Sequence, residues 1–194
     1  MRRMNKEKKI KFKAEETDFK RMSDEHFKWF SRFYKLMDIF CNPNRKIKKI
    51  PLREGMRVVD YGCGPGRYMI PMTKLVGFKG KVFAVDISPP AIKYVKDLAA
   101  KANLRNVETI LVDSYNTGIE ESSIDLVLLL DTLHIIKDRN ALFREIYRML
   151  KEGGILFMDP GHMKMSRARK IVGSTGFFTI VECRGHDMLL YPKR

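Results

Sequence analysis

The chain has 194 residues and a formal net charge of +15, with 38 Lys and Arg against 23 Asp and Glu. That length suits one domain able to bury roughly 70% of its unfolded surface without a disulfide or metal staple. The three cysteines, Cys41, Cys63 and Cys183, are too scattered for a zinc knuckle or a disulfide framework, and the greasiest run, Ile124 to Ile136, is too short and too polar at Asp131 and His134 to span a bilayer.

Residues 1–17 read as a basic flexible tail. Its opening, "MRRMNKEKKIKFK", sets seven basic residues against Glu7 alone. Together with "NRKIKK" and "KMSRARK", this tail attracts anions, either the phosphates of nucleic acid or anionic lipid head groups, or serves only as solvated surface. The tail lacks the apolar h-region of a secretory signal. Unpaired cysteines suit a reducing cytoplasm, which is the expected location. Residues 18–50 form a helical cap. In it, Phe27, Phe30, Tyr34 and Met37 recur on one helical face, with Ser23 or Asp24 as N-cap and Asn42-Pro43-Asn44 as its end.

Residues 51–194 change texture. "MRVVDY", "KVFAVD", "VETILVD", "IDLVLLL" and "GILFMD" are short apolar runs of the kind parallel strands show when both faces are covered. Helices are predicted between them over 67–76, 89–102 and 140–150. Ser88 is the N-cap of the second, with Pro89 and Pro90 in its first turn. Glu152-Gly153-Gly154 closes the third. A last helix over 163–174 leads into two strands around Arg184-Gly185-His186. The pattern is α/β: a doubly wound, Rossmann-like, mostly parallel seven-stranded sheet with an antiparallel C-terminal hairpin and helices on both faces.

Ligands of such sheets bind beyond the carboxyl ends of the strands, at the point where strand order reverses. Here that point is "DYGCGPG", Asp60 to Gly66. A dinucleotide fingerprint would place its third glycine at position 67, which is Arg67. The third glycine, Gly66, comes one residue early, and an acid, Asp60, stands just before the loop. A carboxylate there disfavours a pyrophosphate and favours an ammonium or sulfonium. The second strand ends in Asp86, placed to accept the ribose hydroxyls of a nucleoside, and the third in Asp113, placed to accept from an adenine amine. Taken one at a time, each acid also fits a loop or helix cap.

These segments, "VVDYGCGPG", "VFAVDIS", "LVDS", "IDLVLLLDTLHII" and "LKEGGILFMD", resemble the motifs of the class I S-adenosylmethionine-dependent methyltransferases over about residues 50–194. The resemblance implies S-adenosylmethionine as cofactor and S-adenosylhomocysteine as product. It implies that Asp60 and the backbone of Gly62, Cys63, Gly64 and Gly66 hold the methionine moiety. Asp86 then holds the ribose, Ile87 packs on the adenine, and Asp113 binds the adenine amine with Ser114 nearby. Within the family the chain is similar to the small-molecule branch that includes the ubiquinone and menaquinone C-methyltransferases. "FYKLMD", Phe33 to Asp38, resembles the tyrosine-bearing helix those proteins fold over the cofactor, which assigns Tyr34 to the site.

Methyl transfer requires position and exclusion of water, and a base only where the nucleophile arrives protonated. The end of the fourth strand should line the transfer site. Asp131 and His134 are three apart, so His134 reads as a base oriented by Asp131, or else as a packing residue beside a turn that Asp131 caps. His162 is a second candidate base, and Tyr68 a residue that closes over the methyl group. Cys63 reads as a small packing residue, and no metal site is expected. The N/D-P-P-Y sequence of amine-methylating DNA and glutamine methyltransferases is absent. The expected activity is methylation of a small molecule at O, S or C, with N left open. The alternatives are an RNA or protein methyltransferase docking through the basic tail, and a non-catalytic cofactor-binding protein. Nothing in the sequence addresses oligomeric state.

Overall fold

The computed structural model describes Glu25, Phe27, Trp29 and residues 43–194. The basic tail 1–17, Phe30, Tyr34, Met37, the Phe33–Asp38 stretch and Cys41 lie outside the described residues. Of the expected N-terminal helix, Glu25, Phe27 and Trp29 are helical.

Helix α1 (Pro43–Ile47) precedes strand β1 (Arg57–Tyr61). Helix α2 (Met69–Val76), β2 (Lys81–Asp86), α3 (Pro89–Lys101) and β3 (Val107–Leu111) follow, and then β4 (Ile124–Leu130) and α4 (Arg139–Met149). The chain closes with β5 (Leu150–Asp159), α5 (Met165–Thr175), β6 (Phe178–Arg184) and β7 (Asp187–Pro192). One seven-stranded sheet has the order β3-β2-β1-β4-β5-β7-β6. The pairs among β1 to β5 are parallel, while β7 lies antiparallel to both β5 and β6. The chain runs outward from β1 to β3 and then crosses back to lay β4 on the other side of β1. That reversal opens a crevice at the carboxyl ends of β1 and β4.

The two-residue alternation of the strands splits the core between the faces. Val58, Val82, Ala84 and Leu128 pack with Met69, Met72 and Val76 of α2 and with Ile92 and Val95 of α3. Val59, Val85, Val127 and Leu129 pack on the other face with Phe143 and Ile146 of α4 and with Ala168 and Val172 of α5. Each helix therefore contributes one apolar stripe, and the sheet is covered on both sides.

One local expectation is corrected. Gly153 and Gly154 do not cap α4. The helix passes directly into β5 at Leu150, and the glycines sit where the β4–β5 register shifts between Ile124 and Leu126. Pro43 and Asn44 are helical in α1; the end expected of the preceding helix at Asn42 lies outside the described residues. No helix forms between β3 and β4. Glu145 of α4 holds that connection instead, accepting from the Thr117 N–H at 2.9 Å and the Thr117 hydroxyl at 2.7 Å. Arg148 pairs with Glu145 at 2.8 Å and donates to the Ile119 carbonyl at 2.6 Å. Among the described residues no helix is long and apolar enough to cross a membrane.

Candidate functional site

The crevice holds a cavity of about 800 Å³. Its floor is the loop after β1. Gly62, Gly64 and Gly66 all have left-handed φ values, +81°, +49° and +69°, which side chains resist and glycine adopts freely. A Cβ on Gly62 would lie 2.5 Å from the Thr132 hydroxyl oxygen, so the loop packs directly against the end of β4. A Cβ on Gly64 would meet open space, so there the backbone is bare toward whatever the loop holds.

Asp60 is 3% exposed and lines the cavity. Its Oδ2 is buried and accepts no hydrogen bond. Burial, and then the charge on Asp86, push its carboxyl up to about 7. Asp86 faces the same loop. Its Oδ2 accepts from the Gly64 N–H and its Oδ1 from the Ser88 N–H, both at 2.8 Å. Burial raises the Asp86 carboxyl, and the backbone N–H groups of Ser88, Gly64 and Ile87 partly offset that rise. Ser88 occupies the N-cap of α3 as expected, but its hydroxyl makes no capping bond and lies buried without a hydrogen-bond partner at the cavity wall. Pro90, at the second helical position, removes one of the two N–H groups a capping hydroxyl can serve.

The other sequence-derived residues fall into two groups. Ile87 and Cys63 line the cavity, and burial, with the charges of Asp86 and Asp60, raises the Cys63 thiol well above its ordinary range. Asp113 and Ser114 do not line it. Strand β3 stops at Leu111, both residues are exposed, and the wall there consists of Val112 and Tyr115. The expectation that three successive strands end in aspartate therefore holds for Asp86 at the end of β2; Asp60 is the penultimate residue of β1, and the expectation is corrected for β3. Phe27 from the N-terminal helix reaches the cavity and meets Tyr94 edge-on, with ring centroids 6.3 Å apart.

At the far end the cavity is bounded by Asp131, His134, His162 and Asp159. The Nδ1 atom of His134 stands 3.4 Å from Oδ1 of Asp131, longer than the separation at which a proton relay operates, as is common before substrate binds. The ring of His134 meets that of His162 edge-on at 5.5 Å and 89°. Tyr68 lies at the same end, and burial raises its phenol. Sequence reading missed three contributors. His186 enters from the β6–β7 turn, Tyr115 from the loop after β3, and Lys46 from α1 bridges Asp159 and Asp187. The Lys46 contacts span more than a hundred residues of sequence, so no local pattern signals them, whereas the Gly185-His186 turn was legible as a turn. Among the described residues no three His, Cys, Asp or Glu side chains converge as metal ligands.

The cavity wall thus carries four carboxylates, Asp60, Asp86, Asp131 and Asp159, against one guanidinium, Arg67. A buried carboxylate with one unpartnered oxygen, a bare glycine backbone and a second acid at the end of β2 fit a nucleoside that bears a positive charge, and they do not fit a pyrophosphate.

Comparison with known proteins agrees with this geometry. Residues 52–183 match a family described as a methyltransferase domain. A demethylmenaquinone methyltransferase from Staphylococcus aureus is 30% identical over 112 residues, 58% of this chain and 46% of that one. An aklanonic acid methyltransferase from a Streptomyces species is 32% identical over 107 residues, 55% of this chain and 49% of that one. The chain spans about half the length of these relatives. The crystal structure of an S-adenosylmethionine-dependent methyltransferase from Aquifex aeolicus superposes with a TM-score of 0.67 at 23% identity, covering 77% of this chain and 88% of that one. The match over 52–183, on a sheet of this order with its glycine loop at the point of reversal, shows that the chain belongs to the class I S-adenosylmethionine-dependent methyltransferase family.

Proposed function

We propose that this protein methylates a small molecule at O, S or C, using S-adenosylmethionine bound over the glycine loop. The observation that carries the reading is Asp60, a buried carboxylate with an unpartnered oxygen beneath a loop of bare backbone. In the proposed complex the Asp60 carboxylate and the backbone of Gly62 to Gly66 hold the cationic methionine end. Asp86 accepts the ribose hydroxyls on the lone pairs that Gly64 and Ser88 leave free, and Ile87 packs on the base. Asp113 and Ser114, at the rim next to Val112, are the candidates for the amine of the adenine. Tyr34 remains a candidate for closing the site from the N-terminal segment.

When bound, the cofactor supplies an electrophilic methyl group and leaves as S-adenosylhomocysteine. The chain supplies orientation, a dry wall and a place for a proton. Apolar residues of the cavity wall, among them Phe27, Leu130, Ile136 and Tyr115, exclude water from the cavity. His134 takes the proton that an O–H, S–H or C–H acceptor gives up, with Asp131 balancing the charge that results. The acids of the wall disfavour a strongly anionic acceptor, so the substrate class we infer is neutral at the reacting end. The names of the two relatives, both small-molecule methyltransferases, support this reading. A polymeric acceptor is the second reading. The net charge of +15 favours it, and RNA binding that falls steeply with salt would support it.

The test is calorimetric titration with S-adenosylmethionine, S-adenosylhomocysteine and NADH, repeated on Asp86→Ala. The expected result is binding of both sulfur nucleosides and none of NADH, with Asp86→Ala weakening the former by roughly 10- to 100-fold, as loss of charged hydrogen bonds to two hydroxyls implies. Folded protein that binds neither sulfur nucleoside would overturn the proposal.

A further inference from the structure

At the transfer end the backbone is held in a conformation most side chains resist. Asp131 has a φ of +50°, in the left-handed region that only glycine enters freely. Its N–H donates to the Asp159 carbonyl at 3.0 Å, at the point where β4 and β5 part. Two residues further on, the Gly161 N–H donates to Oδ1 of Asp159 at 2.9 Å, and Gly161 is itself left-handed at +61°. Asp159 thus fastens both segments, through its main chain on one side and its carboxylate on the other. Lys46 of α1 pairs with the remaining carboxylate oxygen, Oδ2.

The outcome is a close approach that admits no side chain. A Cβ built on Gly161 would fall on Oδ1 of Asp131, 2.9 Å from its Cγ and 3.0 Å from its Cα. The aspartate carboxylate therefore lies against the bare α-carbon of the glycine. Oδ1, the atom in that seat, is also 3.4 Å from Nδ1 of His134; the two are not hydrogen-bonded to each other, but at that separation the carboxylate's charge favours a proton on Nδ1 over a lone pair there.

We infer that Gly161 is a positioning residue: its missing side chain seats the Asp131 carboxylate so that His134 carries its proton on Nδ1 and leaves Nε2 open to accept another. Gly161 acts through Asp131. The inference deepens the proposed role of His134 and rests on it for its consequence in catalysis. The seating of Asp131, however, is a claim about this fold and can be tested without an acceptor.

The measurement is the long-range proton–nitrogen spectrum of protein labelled with ¹⁵N-histidine, which separates the two imidazole tautomers. The His134 signals are identified by their loss in His134→Gln. Native protein should show His134 protonated on Nδ1. In Gly161→Ala and in Asp131→Ala that population should fall to about half or less, because no carboxylate is then held beside Nδ1 to favour one tautomer. Gly153→Ala is the control. Its φ of +73° imposes a comparable backbone strain, but open space surrounds it, so the His134 pattern should not change. Should Gly161→Ala fail to fold, the double variant Gly161→Ala/Asp131→Ala should recover folding, since the obstructing carboxylate is gone. A folded Gly161→Ala that keeps the native His134 tautomer overturns the inference, and so does a double variant that is no more stable than Gly161→Ala alone. If instead the tautomer shifts as expected but methyl transfer survives His134→Gln, the positioning claim stands and the role of His134 as base falls.

Discussion

The carboxyls of Asp60 and Asp86 line one cavity, and burial together with the charge on Asp86 pushes the Asp60 carboxyl up to about 7. An acid whose folded pKa is raised holds a proton that the unfolded chain has already released. Stability of the free protein should therefore fall as pH rises from the ordinary carboxylate range toward about 7, and Asp60→Asn should flatten that slope. A ligand cation reverses the preference, since it favours the ionised form. At about pH 6 binding of S-adenosylmethionine should release close to one proton, seen as a dependence of the calorimetric heat on the buffer used, and affinity should rise up to about pH 7. In Asp60→Asn both effects should vanish together.

Two glycines of the same loop should behave differently. Gly62→Ala forces a methyl group to 2.5 Å from the Thr132 hydroxyl oxygen at a left-handed φ. A loss of about 2–4 kcal/mol is expected from overpacking and backbone strain. Gly64→Ala meets no atom and carries only the backbone penalty, about 1 kcal/mol. Its effect should appear in cofactor affinity, since Gly64 is where the bare backbone faces open space. Thermal melts and titration calorimetry on both variants separate the two outcomes.

Lys46 ties α1 to the ends of β5 and β7 through Asp159 and Asp187, and Lys49 adds a 3.0 Å contact to Asp187. Asp187 is nearly buried, so Lys46→Met leaves it with the more exposed Lys49 alone. The expected cost is about 1–3 kcal/mol, below the figure for a fully buried pair because Lys46 and Asp159 keep some solvent contact. In a chain of this size that is a fall in Tm of roughly 2–4 °C per kcal/mol. Burial alone would lower the Lys46 pKa, but the bonds to Asp159 and Asp187 outweigh it and raise it. The contribution should accordingly persist through neutral pH and be lost only above the ordinary lysine range.

Glu145 should show the opposite pH behaviour. Burial opposes its ionisation, yet the bonds from Arg148 and Thr117 outweigh burial and lower its carboxyl. A lowered acid contributes stability that is complete above the ordinary carboxylate range and lost as pH falls through its depressed value. Glu145→Gln should therefore destabilise the protein by about 1–3 kcal/mol at neutral pH and leave it less sensitive to acid. Urea melts at neutral and acidic pH would measure the difference.

The sheet was largely legible because its strands announce themselves twice, by β-branched runs and by the turn residues between them. "KVFAVD" and "IDLVLLL" became β2 and β4 with the bounds the residues suggested. What misled was punctuation read too literally. Gly153-Gly154 looks like a helix stop but marks a register shift, since α4 needed no glycine to turn directly into β5. Asp113 looked like a strand end, yet pairing with β2 stops at Leu111. Asp60, Gly62 and Asp86 could be placed from sequence because a glycine loop and two strand ends fix them locally. Lys46, Tyr115 and His186 could not, because only the folded sheet brings α1, the β3–β4 loop and the last hairpin to one cavity.

The hydroxyl of Ser88 carries one more consequence. A serine at the head of a helix ordinarily satisfies the first turn, and its removal costs about 1 kcal/mol. Here Pro90 takes away one of the N–H groups it could cap, no capping bond forms, and the hydroxyl lies buried and unbonded at the wall of the cavity. Ser88→Ala should therefore leave the melting temperature almost untouched while weakening whatever the cavity holds.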